Sequence, residues 1–204
     1  MICKPDAPER GSITSFITGG LFMRHDMIMA GYGGQGVLLA GTLLSHAAID
    51  EGKNVSFMPS YGVEKRGGAA ACTVVIADGE VGSPIVGNPT AGVILNQSSL
   101  DKYGSRIKSG GICIVNTSLV ELSGFSRTDI EIISIAMNAI AMEIGDARMV
   151  NMVAIGAYAA RTGAVSLGSL AEALKDTLPE RNHRFIPANI RALEAGAVHV
   201  SQAG

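Results

Sequence analysis

Six residues, Gly31-Tyr32-Gly33-Gly34-Gln35-Gly36, stand between the short apolar run Met27-Ile28-Met29-Ala30 and a Leu- and Ala-rich stretch with helical spacing, Val37 to Asp50. A glycine pattern of this form, between a strand and a helix, restricts the chain to an α/β architecture. Glycine is needed there because a side chain would keep backbone N–H groups from closing on phosphate oxygens, and the helix start behind the loop adds its partial positive charge. Gly52 is placed to stop the helix, and Asn54 to Met58 reads as a second strand halted by Pro59. The expectation is a β–loop–α–β unit with its two strands paired in parallel.

Further apolar runs supply the rest of a sheet: Ala70 to Ala77, followed by the turn signal Asp78-Gly79, then Ala91 to Leu95, Gly111 to Val115 and Glu131 to Ile135. Ser98 to Lys108 has the spacing of a helix closed by Gly110-Gly111. Beyond Ala136 the pattern turns helical, over Met137 to Ile144, Asn151 to Thr162, Leu167 to Thr177 and Pro187 to Val200, with Asn151 and Ser166 as N-caps. The chain of 204 residues, with 47% apolar and 17% charged side chains, suits one core. The expected organisation is an N-terminal extension over 1–22, with Met23 or Met27 opening a single domain over 23–204.

Composition excludes several classes of function. A net charge of −2 leaves no footprint for nucleic acid or an anionic membrane. There is no run of about 18 uninterrupted apolar residues for a membrane span, and 1–22 lacks the charge and apolar pattern of a signal peptide, so a cytoplasmic place is expected. The 9 methionines read as adaptable core filler. Cys3, Cys72 and Cys113 form no CxxC pair, and the last two sit in apolar runs, as buried reduced thiols do. An iron–sulfur cluster needs four close thiolates, which this chain does not offer. His25, His46, His183 and His199 have no metal-ligand spacing; His46 reads as a surface or packing residue, and His183 as part of a solvated cationic face beside Arg181 and Arg184. The expected metal ligands and catalytic residues are none.

A nicotinamide or flavin dinucleotide is the obvious reading of the glycine loop, but that site wants a carboxylate at the end of the second strand, and Phe57-Met58-Pro59-Ser60 has none. A phosphate-bearing group of another ligand fits better, and a purely structural turn is the other reading. The second strand runs into Ser60-Tyr61-Gly62-Val63-Glu64-Lys65-Arg66-Gly67-Gly68, and loops at the carboxyl ends of parallel strands face a common crevice. The two glycine loops are therefore expected side by side. Glu64 is expected to pair with Arg66 or with a cation of a partner.

GYGGQG, SYGVEKRGG, Ser83-Pro84, NQSSLDKY from Asn96 to Tyr103 and NMVAIGAYAARTG from Asn151 to Gly163 together resemble the γ subunits of 2-oxoacid:ferredoxin oxidoreductases, the group that acts on pyruvate, 2-oxoglutarate or ketoisovalerate. The likeness spans roughly 24–181, with Val63 and Lys65 departing from the usual SYGPEMRGG. It implies a three-layer α/β/α domain with a mainly parallel sheet and a helical C-terminal segment. It implies a subunit of an oxidoreductase that acts on an oxo group and passes electrons to an iron–sulfur protein. In such complexes a 2-oxoacid and CoA become acyl-CoA and CO2. Thiamine diphosphate, magnesium and iron–sulfur clusters are held by α and β subunits and a ferredoxin-like subunit, and no cofactor is tightly held by the γ chain. By the same resemblance Gly33, Gly34, Gln35 and Gly36 would cradle CoA phosphates, with Lys65 or Arg66 neutralising them and Tyr61 and Glu64 alongside. Related fused enzymes follow the loop with a basic residue, where Val37-Leu38-Leu39-Ala40 here is apolar. The motif style favours 2-oxoglutarate. The β subunit of indolepyruvate oxidoreductase, a free-standing nucleotide-binding regulatory module and an NAD(P)-dependent reductase are the alternatives.

Overall fold

The computed structural model describes residues 23–62 and 68–202. The expected extension over 1–22 and the residues Cys3, Glu64, Lys65 and Arg66 lie outside that range. Six strands form one sheet: β1 (Arg24–Tyr32), β2 (Asn54–Tyr61), β3 (Ala69–Ala77), β4 (Ala91–Ile94), β5 (Ile112–Asn116) and β6 (Glu131–Ile135), in the spatial order β2-β3-β1-β4-β5-β6. Strands β1, β4, β5 and β6 pair in parallel, whereas β3 lies antiparallel to both its neighbours, β1 and β2. Five of the six strands therefore point one way, in agreement with the expected mainly parallel sheet.

The expected β1–β2 pair does not form. β2 runs parallel to β1 but one strand away, because β3 returns between them and takes the ladder of each: Gly31 stands opposite Ala70, and Ala70 opposite Tyr61. Apolar residues on both faces of β3 make it a central strand. That leaves β2 at the edge, and its pattern of half-buried and exposed residues is an edge pattern. The position also explains why Pro59 does not halt the strand, which continues to Tyr61 with Pro59 opposite Cys72. An edge strand can lack an outward N–H without loss of a ladder bond.

Among the described residues six α-helices follow the order α1 (Val37–Asp50), α2 (Gln97–Tyr103), α3 (Met137–Ile144), α4 (Val150–Thr162), α5 (Leu167–Thr177) and α6 (Ile186–Gln202). One sheet face is covered by α1, α3 and α4, with α5 and α6 packed on them; Met27, Met29, Leu43, Leu44, Met152 and Tyr158 lie fully buried in that core. The opposite face is thinner, with α2 and the irregular segment carrying Val120, Leu122 and Phe125 closing over Ile28, Ala30, Ile94 and Val115. The three layers are present but unequal. Helix α2 stops at Tyr103 and passes into a 3-10 turn over Gly104–Arg106, earlier than the expected Lys108.

Helices α3 and α5 have the expected bounds, and the Ser166 hydroxyl caps α5 by accepting the Ser169 N–H at 3.0 Å. Asn151 does not cap α4. The helix starts one residue earlier, and the Asn151 side chain, buried inside it, reaches the glycine loop instead. Glu51 and Lys53 tie the end of α1 to the start of α5: Glu51 accepts the Ser166 N–H at 2.7 Å, and Lys53 Nζ donates to Glu51 at 2.7 Å and to the Ala164 carbonyl at 2.6 Å. Among the described residues no helix is long and apolar enough to cross a membrane.

Candidate functional site

The first glycine loop leaves β1 at Tyr32 and enters α1 at Val37. Gly34 (φ 108°) and Gly36 (φ 70°) take left-handed conformations that side chains rarely adopt. Gly36 is also held from behind: its carbonyl accepts the Asn151 carboxamide at 3.2 Å, and a Cβ there would stand 2.4 Å from Asn151 Nδ2. Gly31 is needed for a different reason. A Cβ at Gly31 would meet Gln35 Oε1 at 2.4 Å, in the place where the Gln35 side chain folds back. That carboxamide accepts the Tyr32 N–H at 2.9 Å and donates to the Leu95 carbonyl at 3.4 Å, bridging the ends of β1 and β4.

The bridge decides what kind of nucleotide site this is. β1 leads into a helix on one face and β4 into α2 on the other, so their carboxyl ends flank the switch point where doubly wound sheets bind dinucleotides. Gln35 closes that gap with the chain's own side chain. The ligand space opens on the α1 side instead, as a cavity of about 230 Å³ whose wall includes Gly34, Gly36, Leu39, Arg148, Asn151 and Phe185. Of the four loop residues expected to cradle phosphate, Gly34 and Gly36 line the cavity. Gly33 gives its N–H to the Gly68 carbonyl at 2.8 Å, and Gln35 gives its own to Tyr32 at 3.1 Å. The N–H groups of Gly34 and Gly36 have no hydrogen-bond partner among the described residues.

The Gly33–Gly68 bond also places the second glycine loop against the first, as expected. Gly62 N–H donates to Ala69 at 2.6 Å and closes the base of that loop, and Tyr61 at its entry is 71% exposed.

The far wall of the cavity was not legible in sequence. Arg148, in the turn between α3 and α4, is fixed by two hydrogen bonds to Asp146, Nε at 2.9 Å and Nη2 at 2.6 Å, and its guanidinium stands 4.8 Å from the Phe185 ring. The hydrogen bond from Arg148 holds the Asp146 carboxyl below the usual range against the opposing effect of burial. Asn189, on α6, donates to the Phe185 carbonyl at 2.7 Å and fixes that corner. A guanidinium lining the same cavity as the glycine loop, with apolar and carboxamide surface beside it, suits a phosphate ester carrying an apolar or heterocyclic body.

Other candidates serve structure. Cys72 and Cys113 are buried, and burial pushes both thiols up to about 12, too high for a thiolate nucleophile. His183 is half-buried between the exposed Arg181 and Arg184, and its Nε2 sits 3.1 Å from the Lys175 carbonyl and 2.9 Å from the Leu178 carbonyl, at the end of α5. The carbonyls left open by a finished helix turn draw the ring inward. His46 is exposed. Among the described residues no three His, Cys, Asp or Glu converge as metal ligands.

Fold and site together define an α/β domain with a glycine loop between β1 and α1 and a Gln35 bridge across the ends of β1 and β4. The chain belongs to the pyruvate ferredoxin/flavodoxin oxidoreductase family, whose model matches residues 26–198. It is 40% identical over 171 residues to the ketoisovalerate oxidoreductase subunit VorA of Methanothermobacter thermautotrophicus, a match covering 83% of this chain and 35% of that protein, so the chain spans about a third of that relative. The 2-oxoglutarate synthase subunit KorC of Methanocaldococcus jannaschii is 37% identical over 78% of this chain and 86% of its own. Among solved structures, the γ subunit of a keto/oxoacid ferredoxin oxidoreductase from Geobacter sulfurreducens superposes with a TM-score of 0.75 at 31% identity, over 87% of this chain and 99% of that one. The 2-oxoglutarate:ferredoxin oxidoreductase of Magnetococcus marinus, solved with 2-oxoglutarate, coenzyme A and succinyl-CoA bound, shares the fold with a TM-score of 0.80 at 20% identity, over 88% of this chain and 31% of that one.

Proposed function

We propose that this chain is the γ-type subunit of a 2-oxoacid:ferredoxin oxidoreductase, and that its glycine-loop cavity receives the phosphate-bearing part of coenzyme A. The observation that carries the reading is the bridged gap between β1 and β4: Gln35 occupies the usual dinucleotide place while Gly34, Gly36 and Arg148 line the neighbouring cavity. This chain binds and positions; thiamine diphosphate, magnesium and the iron–sulfur clusters belong to partner subunits, which decarboxylate the 2-oxoacid and send its electrons to ferredoxin. The start of α1 and the Gly34 and Gly36 N–H groups meet phosphate oxygens, and Arg148 adds the positive charge that the apolar Val37–Ala40 turn does not supply. Lys65 and Arg66 of the second loop bring two further cations to the same reading.

Isothermal titration of CoA into the assembled complex tests this. Arg148→Ala and Arg66→Ala are each expected to weaken CoA binding by roughly tenfold or more, the scale of one lost charge-assisted hydrogen bond. Affinity equal to wild type in both variants would reject the assignment of CoA to this chain. An isolated chain that turned over a 2-oxoacid would reject the subunit role.

A further inference from the structure

At the opposite end of β1 from the glycine loops lies a second pocket, of about 360 Å³, and every ionisable side chain in its wall is basic: Arg24, His25, Lys108 and Arg161. Asp26 and Glu131, the carboxylates paired with Arg24 and Arg161, are not part of the wall. Among the described residues Lys108 has no carboxylate within ion-pair distance. The two carboxylates thus hold the guanidiniums of Arg24 and Arg161 in place without themselves lining the pocket.

The surroundings are rigid. Lys108 N–H donates to Pro89 at 2.9 Å, and Gly111 N–H donates back to the Lys108 carbonyl at 2.8 Å, fixing the turn beneath the amine. Gly111 packs so closely that a Cβ would lie 2.6 Å from the Thr90 carbonyl. Thr90 is itself locked to β1, its hydroxyl accepting the Asp26 N–H and donating to the Asp26 carbonyl, both at 3.1 Å. Three buried polar atoms here form no hydrogen bond: Nε2 of His25, a residue of the pocket wall, Oδ1 of Asp26, and the hydroxyl of Tyr158, fully buried one turn before the wall residue Thr162. The carboxyl end of α4 disfavours an anion in this place, and Arg161, in the last turn of that helix, offsets it.

We propose that this pocket binds a compact oxyanion, a carboxylate or phosphate group of a small metabolite, between Lys108, His25 and the guanidiniums of Arg24 and Arg161. This is independent of the CoA reading, since it uses no residue of the glycine loops.

The test is titration calorimetry of the full chain with two probes separately, inorganic phosphate and succinate, at low chloride, repeated with the Lys108→Gln and Lys108→Arg variants. The expected result is saturable binding of at least one probe, weakened about tenfold in Lys108→Gln and largely kept in Lys108→Arg, with the His25 ring resonances shifting as the site fills. Binding of phosphate alone assigns a phosphoryl ligand, binding of succinate alone a carboxylate, and mutual competition a site that reads the oxyanion whatever carries it. Failure of both probes to saturate, or undiminished affinity in Lys108→Gln, would overturn the proposal. Lys108 is exposed at the end of a turn, so its replacement leaves the fold intact.

Discussion

Gly36 shows how a single residue can serve fold and site at once. Its left-handed backbone excludes a side chain, and the Asn151 carboxamide occupies the space where a Cβ would go. Gly36→Ala should therefore lose about 3 kcal/mol of stability, the left-handed penalty of about 1–2 plus a comparable overpacking cost. The packing part depends on Asn151, so in an Asn151→Ala background the same substitution should cost about 1–2 kcal/mol less. A double-mutant cycle by urea denaturation measures this coupling; simple additivity would show that Asn151 does not hold the loop. The glycines of this loop were legible in sequence, because left-handed turns and close backbone approach leave a glycine signature. The role of Asn151 was not. An asparagine at the start of a helical run reads as a cap, and only a partner 115 positions away, at 3.2 Å, shows that it is a strut. Arg148 and Phe185 were hidden for the same reason.

At the scale of elements, two contacts hold the helical face together. Helices α4 and α6 cross so closely that a Cβ on Gly156 would lie 2.0 Å from the Leu193 carbonyl oxygen, and one on Gly196 2.0 Å from that of Val153. Since backbone and not a flexible side chain is in the way, Gly156→Ala and Gly196→Ala should each destabilise by about 3 kcal/mol or more, read as a fall in the melting midpoint. Melting temperatures near wild type would show that the crossing can widen at no cost. The second contact is the Glu51–Lys53–Ser166 clamp between α1 and α5. Burial opposes the Glu51 charge, but the hydrogen bonds from Lys53, the Ser166 N–H and the Ser169 hydroxyl outweigh it and hold the carboxyl down at about 2, from an ordinary 4.5. A depressed carboxylate stabilises the fold fully above its unfolded value and loses that contribution as pH falls through the folded one. The clamp should therefore weaken between about pH 4.5 and 2, by on the order of 2 kcal/mol after allowance for its partial exposure. Glu51→Gln should flatten the acid limb of the stability curve over that window, and an unchanged limb would show the clamp to be dispensable. Helices with strong periodicity, α3 and α5, kept their expected bounds, whereas the position of β3 did not follow from local pattern. Apolar residues on both faces mark a strand as central without saying between which neighbours it lies, and the antiparallel return from β2 is a property of the whole sheet.

For the molecule as a whole, the sheet separates its tasks. Loops at one end of β1 gather the glycine-loop cavity, a basic pocket occupies the other end, and the helical face is closed by its own packing. On the CoA reading proposed above, this chain docks on its partners at the loop end, because acyl transfer requires close approach to a reaction centre on another chain. Tyr61 stands there, 71% exposed at the entry to the second loop, and large exposed tyrosines are common anchors of interfaces. With a net charge of only −2, long-range attraction contributes little to assembly, so the burden falls on such apolar anchors. Tyr61→Ser is accordingly expected to weaken association with the thiamine-bearing subunits by roughly thirtyfold, about 2 kcal/mol. Val198→Ser, at a 53% exposed position on α6 away from the loops, should leave association unchanged. Sedimentation of the reconstituted complex over a concentration series measures both. Equal weakening by the two variants would place the docking surface on more than the loop end, and no effect of Tyr61→Ser would move it from the loop end altogether, separating the CoA cavity from the path by which this chain joins its partners.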